Sequence, residues 1–151
     1  MAAELLSKFI EIFGSSSATV DVKQTLSYGM GVFSSLITSA QFAPLAPQVL
    51  ASLSSMISSP EAFSDDNVVA TESALGGLGK IIYSQRKDCS LLSDAVVSAF
   101  LDKLPLTHEE EEAQKTHKLF FKHLLAGGAS IICSDGGSKA KEALVRIAKA
   151  A

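Results

Sequence analysis

Apolar residues return every three or four positions along most of this chain, the spacing of amphipathic helices. Polar and breaker clusters cut that pattern into segments. The first predicted helix covers Ala3 to Phe13, with Leu5, Phe9 and Ile12 on its apolar face and Glu4, Lys8 and Glu11 opposite. Gly14 to Ser17 breaks it. A longer helix follows from about Thr19 to Thr38, with a stripe of Leu26, Met30, Phe33 and Ile37. Ser39 to Ala43 reads as a connector. Pro44 fits the first position of the next helix and Pro47 its first turn, where an N–H has no intrahelical partner to lose. That helix runs to about Ser58, with a polar stripe of Gln48, Ser52, Ser55 and Ser59.

The cluster from Ser59 to Asn67 reads as a loop, and Asp66 as the N-cap of a helix over Asn67 to Ser84. Gln85 to Ser90 is a polar turn. Leu91 to Leu104 predicts another helix, with Asp94, Ser98 and Asp102 as its polar stripe and Pro105 as its stop. Thr107 and Glu110 have capping-box spacing, and the acidic run Glu109 to Glu112 sits where the helix dipole favours negative charge. This helix carries Ala113, Phe120, Phe121, Leu124 and Leu125 and stops at Gly127-Gly128. After the turn Ser134 to Gly137, a final helix covers about Ser138 to Lys149. Ala129 to Cys133 is the best strand candidate, and it is short.

Three glycines interrupt the helix after Asp66: Gly76, Gly77 and Gly79. Each costs a helix interior about 1 kcal/mol relative to alanine, so close packing or ligand approach is expected there. Gly29 and Gly31 pose the same question earlier. Laying Gly31 on Gly79 shifts the chain by 48 residues (79 − 31) and brings Val20 onto Val68, Gly29 onto Gly77 and Met30 onto Leu78. Laying Ala70 on Ala113 shifts it by 43 (113 − 70) and brings Leu78 onto Phe121 and Ile82 onto Leu125. These offsets fall near the roughly 40–47-residue period of two-helix repeats. The glycines then read as close-packing positions on first helices. The prediction is an all-α fold, a HEAT-repeat α-α superhelix (solenoid) segment of about seven helices. Its units are 1–17 (a half-unit), 18–60, 66–105 and 107–151.

A chain of 151 residues that is 47% hydrophobic and 19% charged can bury a sizeable core and is not disordered by composition. Its net charge of −3 gives no bulk attraction to nucleic acid or to an anionic membrane. No apolar run approaches the roughly 18 residues a membrane span needs. Glu4 argues against a signal peptide, so Cys89 and Cys133 are expected as reduced thiols.

Candidate chemistry is thin. Gly76 to Lys80 lacks both the spacing and the preceding strand of a phosphate loop. His117 and His123 are six apart, so they do not share a helix face as metal ligands would, and Cys133 has no paired cysteine nearby; these two and His108 read as surface or edge histidines. The serine clusters have no nucleophile elbow. No catalytic, cofactor-binding or metal-ligating set is expected, and the chain is not read as an enzyme. Glu109 to Glu112 reads as a solvated helix start, and Lys80, Arg86 and Lys87 as too small a basic cluster for nucleic acid.

Three stretches resemble one known family. Asp21-Val-Lys-Gln-Thr-Leu-Ser-Tyr-Gly-Met-Gly-Val32 looks like the opening helix of a late HEAT repeat in the importin-five branch of the karyopherin-β (importin-β) family. Asp66 to Ile82 looks like the first helix of the following repeat. Phe100-Leu-Asp-Lys-Leu-Pro-Leu-Thr-His-Glu-Glu-Glu-Glu-Ala113 is similar to the family's Leu-Pro-Leu stop and acidic helix start. The three occur in family order at similar spacing, over about Val20 to Leu125.

The resemblance implies part of a nuclear import receptor that shuttles between cytoplasm and nucleus. Such receptors hold cargo proteins and the GTPase Ran on the inner surface of a long superhelix and touch nucleoporin Phe-Gly repeats on the outer one. They are several times longer, so the comparison implies a C-terminal piece without the Ran-binding repeats, able to self-associate through cut ends. Second helices line the family's concave side, which makes Gln48, Ser52, Asp94, Ser98 and Asp102 the implied protein contacts. The alternative is a generic HEAT scaffold subunit of a phosphatase or chromosome-organising complex.

Overall fold

The structure, a computed structural model, describes residues 1–126 and 137–150. The described residues are all-helical. They form α1 (Ala2–Phe13), α2 (Val20–Ser35), α3 (Ser39–Phe42), α4 (Ala46–Ile57), α5 (Val68–Gln85), α6 (Asp94–Asp102), α7 (Glu110–Leu125) and α8 (Ser138–Ala150). A 3₁₀ turn, Arg86–Asp88, leads out of α5. The predicted strand Ala129 to Cys133, the Gly127-Gly128 stop and the start of the Ser134 turn lie outside the described residues. Gly137, at φ 85°, takes the left-handed conformation that glycine adopts without strain, just before α8.

The order of contacts follows the sequence. α1 packs on α2, α2 on α5 and α5 on α7, while α4 lies against α1, α2 and α5, and α6 against α5 and α8. α5 is central. Leu75, Ile81 and Ile82 are fully enclosed, and even Thr71, Glu72 and Ser73 are buried. A helix apolar or small nearly all round can exist only with neighbours on most sides. Met30, Phe42, Leu53, Phe100 and Phe120 bring the other helices into the same core.

The glycines let these helices approach. A Cβ on Gly31 would stand 2.5 Å from the Cα of Gly77, and one on Gly77 would stand 2.5 Å from the carbonyl oxygen of Ser27. The backbones of α2 and α5 therefore touch where they cross. Gly29 lies under the Phe9 ring of α1, and a Cβ on Gly79 would stand 3.0 Å from the Phe100 ring. The close-packing reading holds.

Polar side chains join the elements. Gln85 donates to the carbonyls of Ser34 (2.6 Å) and Ile37 (3.0 Å) and accepts from Ser39, fastening the end of α2 to α5. Arg146 of α8 donates to the carbonyls of Leu101 (2.6 Å) and Leu104 (2.8 Å), satisfying acceptors at the end of α6.

Several local expectations need correction. The apolar face of α1 is centred on Leu6 and Phe13, and Leu5 and Ile12 are exposed, because α1 has a partner on only part of its circumference. Thr38 and Gln41 form a capping box around the one-turn α3, where a connector was expected. That turn uses up the chain Pro44 was to start, so α4 begins at Ala46 with Pro47 in its first turn. Asp66 caps nothing: α5 starts at Val68, and Asn67 instead donates its amide to Glu61 and Ser64. Leu91 to Ser93 precede α6 rather than opening it. Thr107 does not form the expected box. Its hydroxyl meets His108, and Glu109 caps α7 by accepting from the N–H of Glu111. Leu125 is 89% exposed at the end of α7, not core.

Candidate functional site

The side chains singled out from sequence are spread over α4 and α6. Gln48 is exposed on α4 and Ser52 half-buried beside it; Ser98 is half-buried on α6. The two acids at the ends of α6 are engaged within the chain. Asp94 pairs with Arg86, and both oxygens of Asp102 accept from Lys139 at 2.6 Å. A partner using either carboxylate would first displace an internal cation.

A different surface gathers more chemistry. Lys80, Tyr83 and Ser84 of α5 share one helix face, and Lys115, Lys118, Leu119, Lys122 and His123 share a face of α7. With Ser35 at the end of α2, they line a groove of about 550 Å³. His123 stacks on Tyr83 at 4.4 Å between centroids and 11° between planes, and Phe100 meets the same ring edge-on. Burial pushes the Tyr83 hydroxyl far up from its ordinary value, and that hydroxyl has no hydrogen-bond partner among the described residues. Burial pulls the His123 imidazole down, with Lys122 adding to the effect. The groove is thus aromatic and aliphatic within and cationic at its rim.

Lys115 also borders a second groove, of about 370 Å³, lined by Tyr28, Ser73, Glu109, Glu111 and Glu112. Tyr28 marks the junction. The ammonium groups of Lys80 and Lys115 lie 4.9 and 5.5 Å from its ring centroid, a cation–π arrangement. Lys115 also donates to Glu111 at 2.6 Å; that bond raises the lysine and lowers the glutamate from their ordinary values. Glu112 departs from the solvated reading of the acidic run. It is 5% exposed, pairs with Lys80 and lies against Gly76, where a Cβ would collide with it.

Beneath the start of α7 lies a buried carboxylate. Glu72 of α5 accepts the backbone N–H groups of Thr107 (2.7 Å), His108 (3.0 Å) and Glu109 (2.7 Å), and its side chain is 4% exposed. Three converging donors are what a buried carboxylate needs in place of water. The cluster is a structural clamp that sets where α7 begins.

His117 accepts the Leu106 N–H through Nε2 at 3.2 Å, and burial pulls its pKa below the ordinary value, partly opposed by Glu72. A protonated ring cannot accept that bond. The folded state therefore binds the proton less well than the unfolded chain, and stability falls as pH drops from the ordinary histidine range through the depressed folded value. Thermal melts between pH 7.5 and 5 should show a progressive fall in Tm that His117→Gln reduces. An unchanged slope in that variant would remove His117 as the cause.

Among the described residues no three His, Cys, Asp or Glu side chains converge as metal ligands, and no helix is long and apolar enough to cross a membrane. In the groove Ser84 donates to the Lys80 carbonyl rather than to a base. The groove's sequence signal was present: Lys115, Lys118 and Lys122 follow the i, i+3, i+7 spacing of one helix face. The missing part was Lys80 and Tyr83, which only packing of α5 on α7 brings beside them. No protein-family model, curated protein or solved structure matches this chain.

Proposed function

We propose that the chain is a protein-binding HEAT-repeat segment of the importin-five type, one part of a nuclear import receptor, without catalysis of its own. The observation that carries this reading is the way the glycines recur. The 48-residue shift pairs Gly29 with Gly77. Gly29 on α2 receives the Phe9 ring of α1, and Gly77 on α5 receives the Ser27 carbonyl of α2. Matched positions that each admit a helix of the preceding unit, through a ring in one case and through backbone in the other, suit a stacked repeat, in which each unit touches its neighbours. The serial contacts of α1, α2, α5 and α7 support the same reading, as do α4 against α2 and α5 and α6 against α5 and α8. The three family-like stretches supply the transport assignment.

In that role the first helices face nucleoporin Phe-Gly repeats and the second helices face cargo and Ran in a full-length receptor. The test is retention of the chain on immobilised Phe-Gly repeats, compared with Ser-Gly repeats of equal length. Preferential retention on Phe-Gly is expected. Equal retention on both removes the import reading and leaves a helical scaffold of another complex.

A further inference from the structure

We propose that the groove between α5 and α7 docks an acidic segment of a protein partner, with an apolar side chain of that segment seated against Tyr83 and Leu119. The inference rests on the protein-binding reading of this surface but not on the import assignment.

Charge carries the argument. Of the cations at the groove, Lys80 is committed to Glu112 and Lys115 to Glu111. Lys118 and Lys122 are exposed and make no ion pair among the described residues. The dipole of α7 accounts for a cation in its last turn, where Lys122 lies. It does not account for Lys118 in mid-helix, on the face that borders an apolar cleft; Lys115 beside it is already answered by Glu111. An amphipathic acidic segment answers both features, since its carboxylates meet the ammonium groups while its apolar residue leaves water.

Other anions fit less well. A nucleic acid strand extends its charge in both directions, and Glu109 and Glu111 stand directly beyond Lys115, where they would repel it. The chain as a whole is also acidic, at −3. A free phosphate has no use for the Tyr83 and Leu119 floor.

The test is fluorescence anisotropy with the full chain and a short labelled peptide, a Leu-Leu pair flanked on both sides by glutamates. Three comparisons are made: the same peptide with glutamines for glutamates, the Lys118→Glu/Lys122→Glu variant, and Lys141→Glu, which changes an exposed lysine on α8. Circular dichroism melts check that the variants keep the fold. At least a tenfold loss of affinity is expected for the glutamine peptide and for the double variant, with little change for Lys141→Glu. Replacing Leu-Leu by Ser-Ser should weaken binding as well. Equal affinity for the glutamine peptide overturns the proposal, as does an unaffected double variant or no binding at low salt. Displacement of the peptide by single-stranded RNA at lower concentration overturns it in favour of a nucleic-acid groove. Retention on Phe-Gly repeats with no affinity for the acidic peptide would remove this inference alone.

Discussion

Gly77→Ala lowers the melting temperature by roughly 5–10 °C, the equivalent of about 2–3 kcal/mol in a domain of this size. The new methyl would stand 2.5 Å from the Ser27 carbonyl oxygen, and what it meets is backbone, which cannot rotate away as a side-chain end can. α2 and α5 must move apart, and the contacts lining their crossing weaken together. Alanine returns about 1 kcal/mol of helix propensity, which is too little to offset the displacement. Gly31→Ala meets the Cα of Gly77 from the other side and should cost a similar amount. The double variant should lose less than the sum, because separating the helices once relieves both clashes. Gly14→Ala is the control. Its Cβ would find nothing nearer than 3.6 Å, and its φ of −76° suits any residue, so its Tm should stay close to that of the parent chain. If Gly77→Ala melts with Gly14→Ala, the helices do not cross in backbone contact.

Glu72→Ala costs about 3 kcal/mol by loss of the clamp on the start of α7. Three backbone N–H groups lose a charged acceptor at once, and their segment loses its fixed position on α5. Glu72→Gln does not restore it. A carboxamide has one acceptor oxygen, and its NH₂ group would face a donor. Both variants should lower the urea midpoint, and hydrogen exchange should speed first at Thr107, His108 and Glu109. The groove is built on α7, so both should also weaken any ligand held there. Wild-type exchange rates at those three amides in Glu72→Ala would show that water replaces the carboxylate without loss.

The ends of helices show what a chain pattern can and cannot specify. The stops near Phe13 and before Pro105 were legible: proline acts through its own backbone, and Gly14 stands where α1 ends although its φ of −76° is open to any residue. Starts were less legible. Asp66 and Thr107 are good capping residues by type, yet Asn67 turned to Glu61 and Ser64, and Glu72 took the donors that precede α7. A cap competes with every acceptor that packing brings near, and a carboxylate thirty-five residues away in sequence won (107 − 72).

By itself the sequence determined the helical class and the close-packing role of the glycines in α2 and α5. Each of these follows from period, apolar content and backbone geometry, which are local. Only the tertiary structure decided which charges remain available. Asp94 and Asp102, exposed in type and periodicity, are engaged by Arg86 and Lys139. Glu112, one of four consecutive acids, is buried against Gly76 on Lys80. Lys118 and Lys122, spaced along one face of α7, come to line a groove with Tyr83 of α5. The physical reason is range. Apolar burial is non-directional and leaves a periodic trace along the chain, whereas an ion pair or a groove depends on two helices arriving at one separation, and no window of sequence contains both.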